Sequence, residues 1–222
     1  MKPTLLGVIL LCAAYCSAVE GTNVIAMSDW SASVNSADIA VRARLLILSG
    51  NPPNYGRPES GRGSMLFLEL ENVTMTHRAA AKVFFDLESI HFDFVGTNGL
   101  SVPFPKRSGG YRGGTLNQTH QTWLLLPWNS PVSLFVAAGG SDAIMFYRNG
   151  GDPGPKESFL HPWHIPLNDS NDHYLAATLK FDSPTNGTRL VMTPAEKWIG
   201  DGCQDWRGVL KIPPMRIAAK QK

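Results

Sequence analysis

Residues 161 to 174 read HPWHIPLNDSNDHY and set His161, His164 and His173 beside Asp169 and Asp172. Imidazoles and carboxylates at this density are the donors of a zinc site or the partners of an acid–base pair. Which chemistry they could do depends on the backbone that carries them. Pro162 and Pro166 argue against a helix, because each removes a backbone donor and clashes with the preceding turn. On an extended chain, His161 and His164 point to opposite faces. The segment reads as a hairpin with a loop at Ser170-Asn171-Asp172, pairing Asp169 with His173, Leu167 with Leu175, Ile165 with Ala177 and Trp163 with Leu179. That register puts every apolar partner on one face, and a slip of one residue would undo it. At about 3.3 Å per residue, His164 then lies roughly 15 Å from His173. Zinc–nitrogen bonds are about 2 Å long, so the expectation is no metal site, and a cross-strand pair of His173 with Asp169.

Other reactive groups stand apart. Cys203, in GDGCQDW, is the one cysteine outside the N-terminal segment. It could act as a nucleophile only if a histidine approached it. There is no G-x-S-x-G elbow and no H-E-x-x-H. SGGYRGG (108–114) lacks the Lys-Ser/Thr ending of a phosphate loop. With Lys106, Arg107, Tyr111 and Arg112 it is a candidate surface for an anion or partner. The carboxylate pairs Asp86/Glu88 and Glu69/Glu71 have the composition of a glycosidase site. Their alternation with apolar residues instead assigns them to a solvent face. Trp123, Trp128 and Trp163 lie on or beside apolar runs and are candidate sugar-stacking residues. N-x-S/T triplets begin at Asn72, Asn117, Asn168 and Asn186, each a glycan acceptor only in a suitable compartment.

The N-terminus, MKPTLLGVILLCAAYCSAVEG, has a basic Lys2, an apolar run and small residues at 16–18. This is the layout of a secretory signal peptide cleaved after Ala18, and the run is shorter than the ~20 residues that span a bilayer. Leu11 and Tyr15 before the two cysteines disfavour lipoprotein processing. The expected product is secreted, periplasmic or held in the cell envelope. Without Cys12 and Cys16, Cys203 has no intrachain partner. A net charge of +2 gives no electrostatic case for nucleic acid.

Around these groups the chain alternates short apolar runs with Gly, Pro, Asn and Ser. Residues 19–36 read as a linker or lead-in strand. Period-two runs follow at 38–48, 64–74, 81–87 and 89–95. In 64–74, Leu66, Leu68 and Leu70 share one face and Glu69 and Glu71 the other. Further runs lie at 121–127, 130–138, 143–148, 159–167, 173–181 and 206–212. Only 193–202 could form a turn or two of helix. The pattern predicts an all-β, antiparallel sandwich with long Gly/Pro-rich loops. It forms one domain over 37–218 with a 219–222 tail, or alternatively two small sandwiches split near 150–157.

The order SMLFLELENVT, AKVFFDLESIHFDFVGTNGLSVP, TWLLLPWNSPVSLFVA, within residues 64–137, resembles immunoglobulin-like modules of exported bacterial proteins. The resemblance implies the sandwich fold and an accessory or adhesive role, and carries over no catalytic residue. The expected function is therefore non-enzymatic, with no cofactor: binding another surface protein or a polysaccharide through loops 49–63, 105–120 and 149–158 at one end of the sheets. The alternative is a secreted hydrolase whose site is assembled from distant His, Cys and carboxylate residues.

Overall fold

A computed structural model of the chain describes residues 23–50, 63–76, 78–86, 89–102, 121–140, 142–149, 160–167, 169, 171–182 and 203–218. At 86, 121, 122, 145–149 and 160–164 the description is of the backbone. The strands are β1 (Asn23–Met27), β2 (Val34–Ser36), β3 (Ile39–Gly50), β4 (Gly63–Asn72), β5 (Ala81–Asp86), β6 (Ile90–Val95), β7 (Gln121–Leu126), β8 (Pro131–Gly139), β9 (Ala143–Asn149), β10 (Leu160–Pro166), β11 (His173–Phe181), β12 (Gln204–Trp206) and β13 (Gly208–Ile217). Among the described residues there is no helix.

The large sheet runs β1-β3-β4-β8-β9-β10, and β2 also pairs with β3. Two smaller sheets run β13-β11-β6 and β12-β5-β7. Neighbouring strands are antiparallel except β12, which runs parallel to β5. β3 shows why these residues make strands. Ile39, Val41, Ala43, Leu45 and Ile47 are fully buried, and the residues between them are not. β4 matches it with Leu66, Leu68 and Leu70, and β11 does so in the small sheet with Leu175, Ala177, Leu179 and Phe181. All of these join one core with Ile144, Ile165, Leu210, Ile212 and Met215.

Of the two readings of residues 19–36, linker or lead-in strand, the described part holds strands: β1 and β2 both pair with β3 in the large sheet. β2 and β3 are joined by the two-residue turn Ala37-Asp38, both at positive φ (50° and 63°). This is the twist a tight hairpin needs, reached without glycine. Between β1 and β2 the SDWS segment bulges, yet the ladder to β3 continues through side chains. The Ser28 and Ser31 hydroxyls accept from the Leu45 and Ala43 N–H groups, each at 3.0 Å. The two serine N–H groups donate to the Leu45 and Ala43 carbonyls. Each hydroxyl stands in for a missing backbone carbonyl, so no buried donor is stranded.

Two expectations about the second half are corrected. β10 and β11 do not form a hairpin: β10 pairs with β9 in the large sheet, while β11 pairs with β6 and β13 in a small one. The chain crosses between sheets there, with the Leu167 N–H on the Asp142 carbonyl. Ile165, Leu167, Leu175 and Leu179 are still buried together. A hairpin and a crossing both place them on the core, so alternation could not separate the two. The last strand also outruns its expected end at 212. Pro213 and Pro214 fall where the β11 register shifts, between the Ala177–Ile212 and Leu175–Met215 pairs. The bulge on an edge strand absorbs two residues that cannot donate. Residues 193–202 lie outside the described residues.

The sheets close at Trp206. Its indole is 1% exposed, meets Phe181 edge-on at 5.5 Å and donates from Nε1 to the Val34 carbonyl of β2 at 3.1 Å. The tightest backbone approach is the β8–β9 turn. A Cβ on Gly139 would sit 1.9 Å from the Ala143 carbonyl oxygen, whereas one on Gly140 meets nothing. Gly139→Ala should therefore destabilise the fold by about 1–3 kcal/mol, while Gly140→Ala should stay within about 0.5 kcal/mol. Urea unfolding of the two variants side by side checks this.

Candidate functional site

The nominated residues that the structure describes lie on separate strands. His161 and His164 are on β10 in the large sheet, while His173 opens β11 in a small one. The His173–Asp169 pair exists, Nε2 to Oδ2 at 2.7 Å, with the ring against Phe94. It links the crossing segment to its own strand rather than spanning a hairpin. Asp172 pairs with Arg216 at 2.6 Å. Among the described residues, no three His, Cys, Asp or Glu side chains are grouped closely enough to hold a metal ion. Cys203 is half-buried just before β12.

Trp123 lies on β7, edge-on to Phe84 at 5.3 Å, with the Lys82 ammonium 4.5 Å from its ring. Lys82 also pairs with Asp205 at 3.0 Å. Trp128 sits between β7 and β8. Its Nε1 donates to the Thr74 carbonyl at 2.7 Å, and the Arg78 guanidinium caps its ring at 4.9 Å. The side chains of Asp86 and Trp163 lie outside the described residues, as do Glu88, Arg107, Tyr111 and Arg112. The expected binding loops 49–63, 105–120 and 149–158 lie almost wholly outside the described residues.

What the fold does bring together is the outer face of the large sheet. Paired residues of an antiparallel sheet project to the same side, so registers define rows. Arg44, Glu69 and Ser133 form one row, and Arg42 faces Glu71 in the next. Arg44 Nε pairs with Glu69 Oε2, Ser133 donates to Glu69 Oε1 at 3.0 Å, and Arg42 binds Glu71 at 2.6 Å. The SDWS bulge lays Trp30 across both guanidiniums, at 4.6 and 4.4 Å from its ring. Glu69 and Glu71 are consequently only 8% and 7% exposed. This corrects the solvent-face assignment: arginine stems and an indole cover carboxylates that alternation alone would leave in water.

The next two rows are apolar across four strands. Met27, Leu46, Phe67 and Phe135 form one; Val24, Leu48, Met65 and Ala138 form the other. Phe67 and Phe135 meet edge-on at 5.9 Å. Val24, Met27 and Phe135 are 60%, 51% and 39% exposed. Between those exposed ends Leu46, Leu48 and Phe67 are half-buried and Met65 is 3% exposed. An outer sheet face is ordinarily polar, and exposed apolar side chains on it are candidates for a contact surface. The sequence held a signal for the ionic rows, since R-A-R at 42–44 and E-L-E at 69–71 have matching period-two charges. It held none for the Trp30 position, which depends on the bulge.

In comparison with known proteins, the chain matches no family model, no curated protein and no solved structure.

The Arg44–Glu69 pair should show coupling in a double-alanine cycle of about 1–3 kcal/mol. The more exposed Arg42–Glu71 pair should show less, since water screens it. Stability curves of the two cycles at low and high salt check this, with the Arg44–Glu69 coupling changing little between them.

Proposed function

We propose that this chain is an exported, non-enzymatic β-sandwich of the immunoglobulin-like kind that docks another protein at the cell surface or outside the cell. Export is supported by the basic, then apolar, then small-residue order of the first eighteen positions. The sandwich reading is supported by antiparallel sheets that share one core.

The observation that carries the binding reading is the pair of apolar rows ending in exposed Val24, Met27 and Phe135. A protein partner suits them better than a polysaccharide. Sugar sites need an indole face flanked by hydrogen-bonding groups, whereas Phe, Met and Val in rows match the apolar centre of a protein interface. The ionic rows beside them hold the strands in register.

A photo-crosslinking amino acid at position 135, in the cells that express the protein, should give a discrete protein adduct identified by mass spectrometry. The adduct should disappear when Met27→Asp is added. The same probe at Lys211, on an exposed position of β13, should give none. Absence of an adduct at 135, or glycan binding that survives Phe135→Asp, would refute the proposal.

A further inference from the structure

We infer that Asn72 can accept an N-linked glycan only while the chain is unfolded, and that attachment there and closure of the junction of β3, β4 and β7 exclude one another. The triplet Asn72-Val73-Thr74 has the form of an acceptor site. In the folded chain each polar atom that an acceptor must offer is already engaged. Asn72 is 0% exposed and Thr74 2%. Asn72 Nδ2 donates to the Ala79 carbonyl at 2.9 Å and the Leu126 carbonyl at 3.4 Å. Its Oδ1 accepts from the Thr74 hydroxyl at 2.6 Å and the Thr74 N–H at 3.2 Å. The Thr74 hydroxyl in turn accepts from the Ala40 N–H at 3.0 Å.

Backbone bonds tie the same residues to the same neighbours. Val73 N–H donates to the Ala40 carbonyl and Asn129 N–H to the Asn72 carbonyl, both at 2.8 Å. Trp128 Nε1 reaches the Thr74 carbonyl. The Asn72 amide thus joins the end of β4 to the segment before β5 and the end of β7, while Thr74 and Val73 tie the same end to the start of β3.

Glycan transfer forms a bond from Asn72 Nδ2 to the anomeric carbon of a lipid-linked oligosaccharide. The lipid diphosphate leaves, and the nitrogen loses one proton. The product nitrogen keeps a single N–H where the junction uses two, and it carries a sugar where the fold has no space. A buried carbonyl left without its donor is itself costly. The three other triplets, at Asn117, Asn168 and Asn186, lie outside the described residues.

The test is site occupancy. The full chain is expressed in a glycosylating insect-cell host, and folded monomer is separated by gel filtration from chain retained in the cell. Enzymatic glycan release in heavy-oxygen water then marks each occupied asparagine for peptide mapping. Asn72 should be unmarked in the monomer and marked in the retained chain. Gly139→Ala, which disturbs a distant turn, should enlarge the marked fraction without moving it into the monomer. Thr74→Ser keeps both hydroxyl and triplet, and should leave the monomer unmarked at Asn72. A marked Asn72 in folded monomer of native melting temperature, or an unmarked Asn72 in all retained chain, would overturn the inference.

Discussion

The register between β3 and β4 is the constraint on which the rest of this molecule depends. With Leu45 opposite Leu68 and Arg44 opposite Glu69, every residue of both strands is committed to one side. Leucine, isoleucine and alanine go inward, and the ionic and apolar rows go outward. Because side chains alternate with period two, a slip of one residue would bury two arginines and expose the leucines. The two Arg–Glu pairs therefore act as a key for the register as much as a source of stability. Trp30 over both guanidiniums adds attraction on the order of 0.5–2 kcal/mol per contact and keeps water from the carboxylates.

The remaining sheets are attached through a few buried polar groups rather than by continuous ladders. Asn72 carries the end of β4 across to β7 and to the segment before β5. Trp206 fixes the start of the last strand against β2, and a Cβ on Gly208 would come 3.0 Å from that indole, so the indole would have to give by a few tenths of an ångström to admit a side chain there. The Ser28 and Ser31 hydroxyls keep β1 and β2 on the same edge of β3 through the bulge between them. Each device solves the same problem: a sheet that bends or changes direction strands backbone donors and acceptors, and a side chain replaces the missing strand.

That arrangement links the fold to the proposed role. The polar groups of Asn72 and Trp128 are spent on joining strands. The apolar rows, by contrast, are not consumed by the core, since the opposite faces of the same strands already supply it. An apolar area on a sheet held by its own ionic rows suits recognition of another protein surface.

Much of the strand content was legible in the sequence. Alternation placed β3 to β11 within a residue or two, and set Leu66, Leu68 and Leu70 inside. It left residues 19–36 open between a linker and a lead-in strand, because in β1 Ala26 alone of five residues is buried, and it did not indicate the glycine-free turn at Ala37-Asp38. It also ended the last strand at Ile212, because only the bulge in β13 itself makes room for Pro213 and Pro214. The Asp169–His173 contact was foreseen, but for a hairpin that does not exist. For the candidate surface, charges at 42, 44, 69 and 71 were visible as a matched pattern, whereas their burial under Trp30 was not.

By itself the sequence determined which side of its strand each residue takes, because local sterics and the cost of wetting apolar groups act within a few residues. Only the tertiary structure decided which strands became neighbours, that β10 and β11 belong to different sheets, and that an asparagine of acceptor form is a buried clamp. The reason is physical: period-two patterning records inside and outside but not the partner. The partner is chosen by hydrogen bonds and packing between residues far apart in the chain.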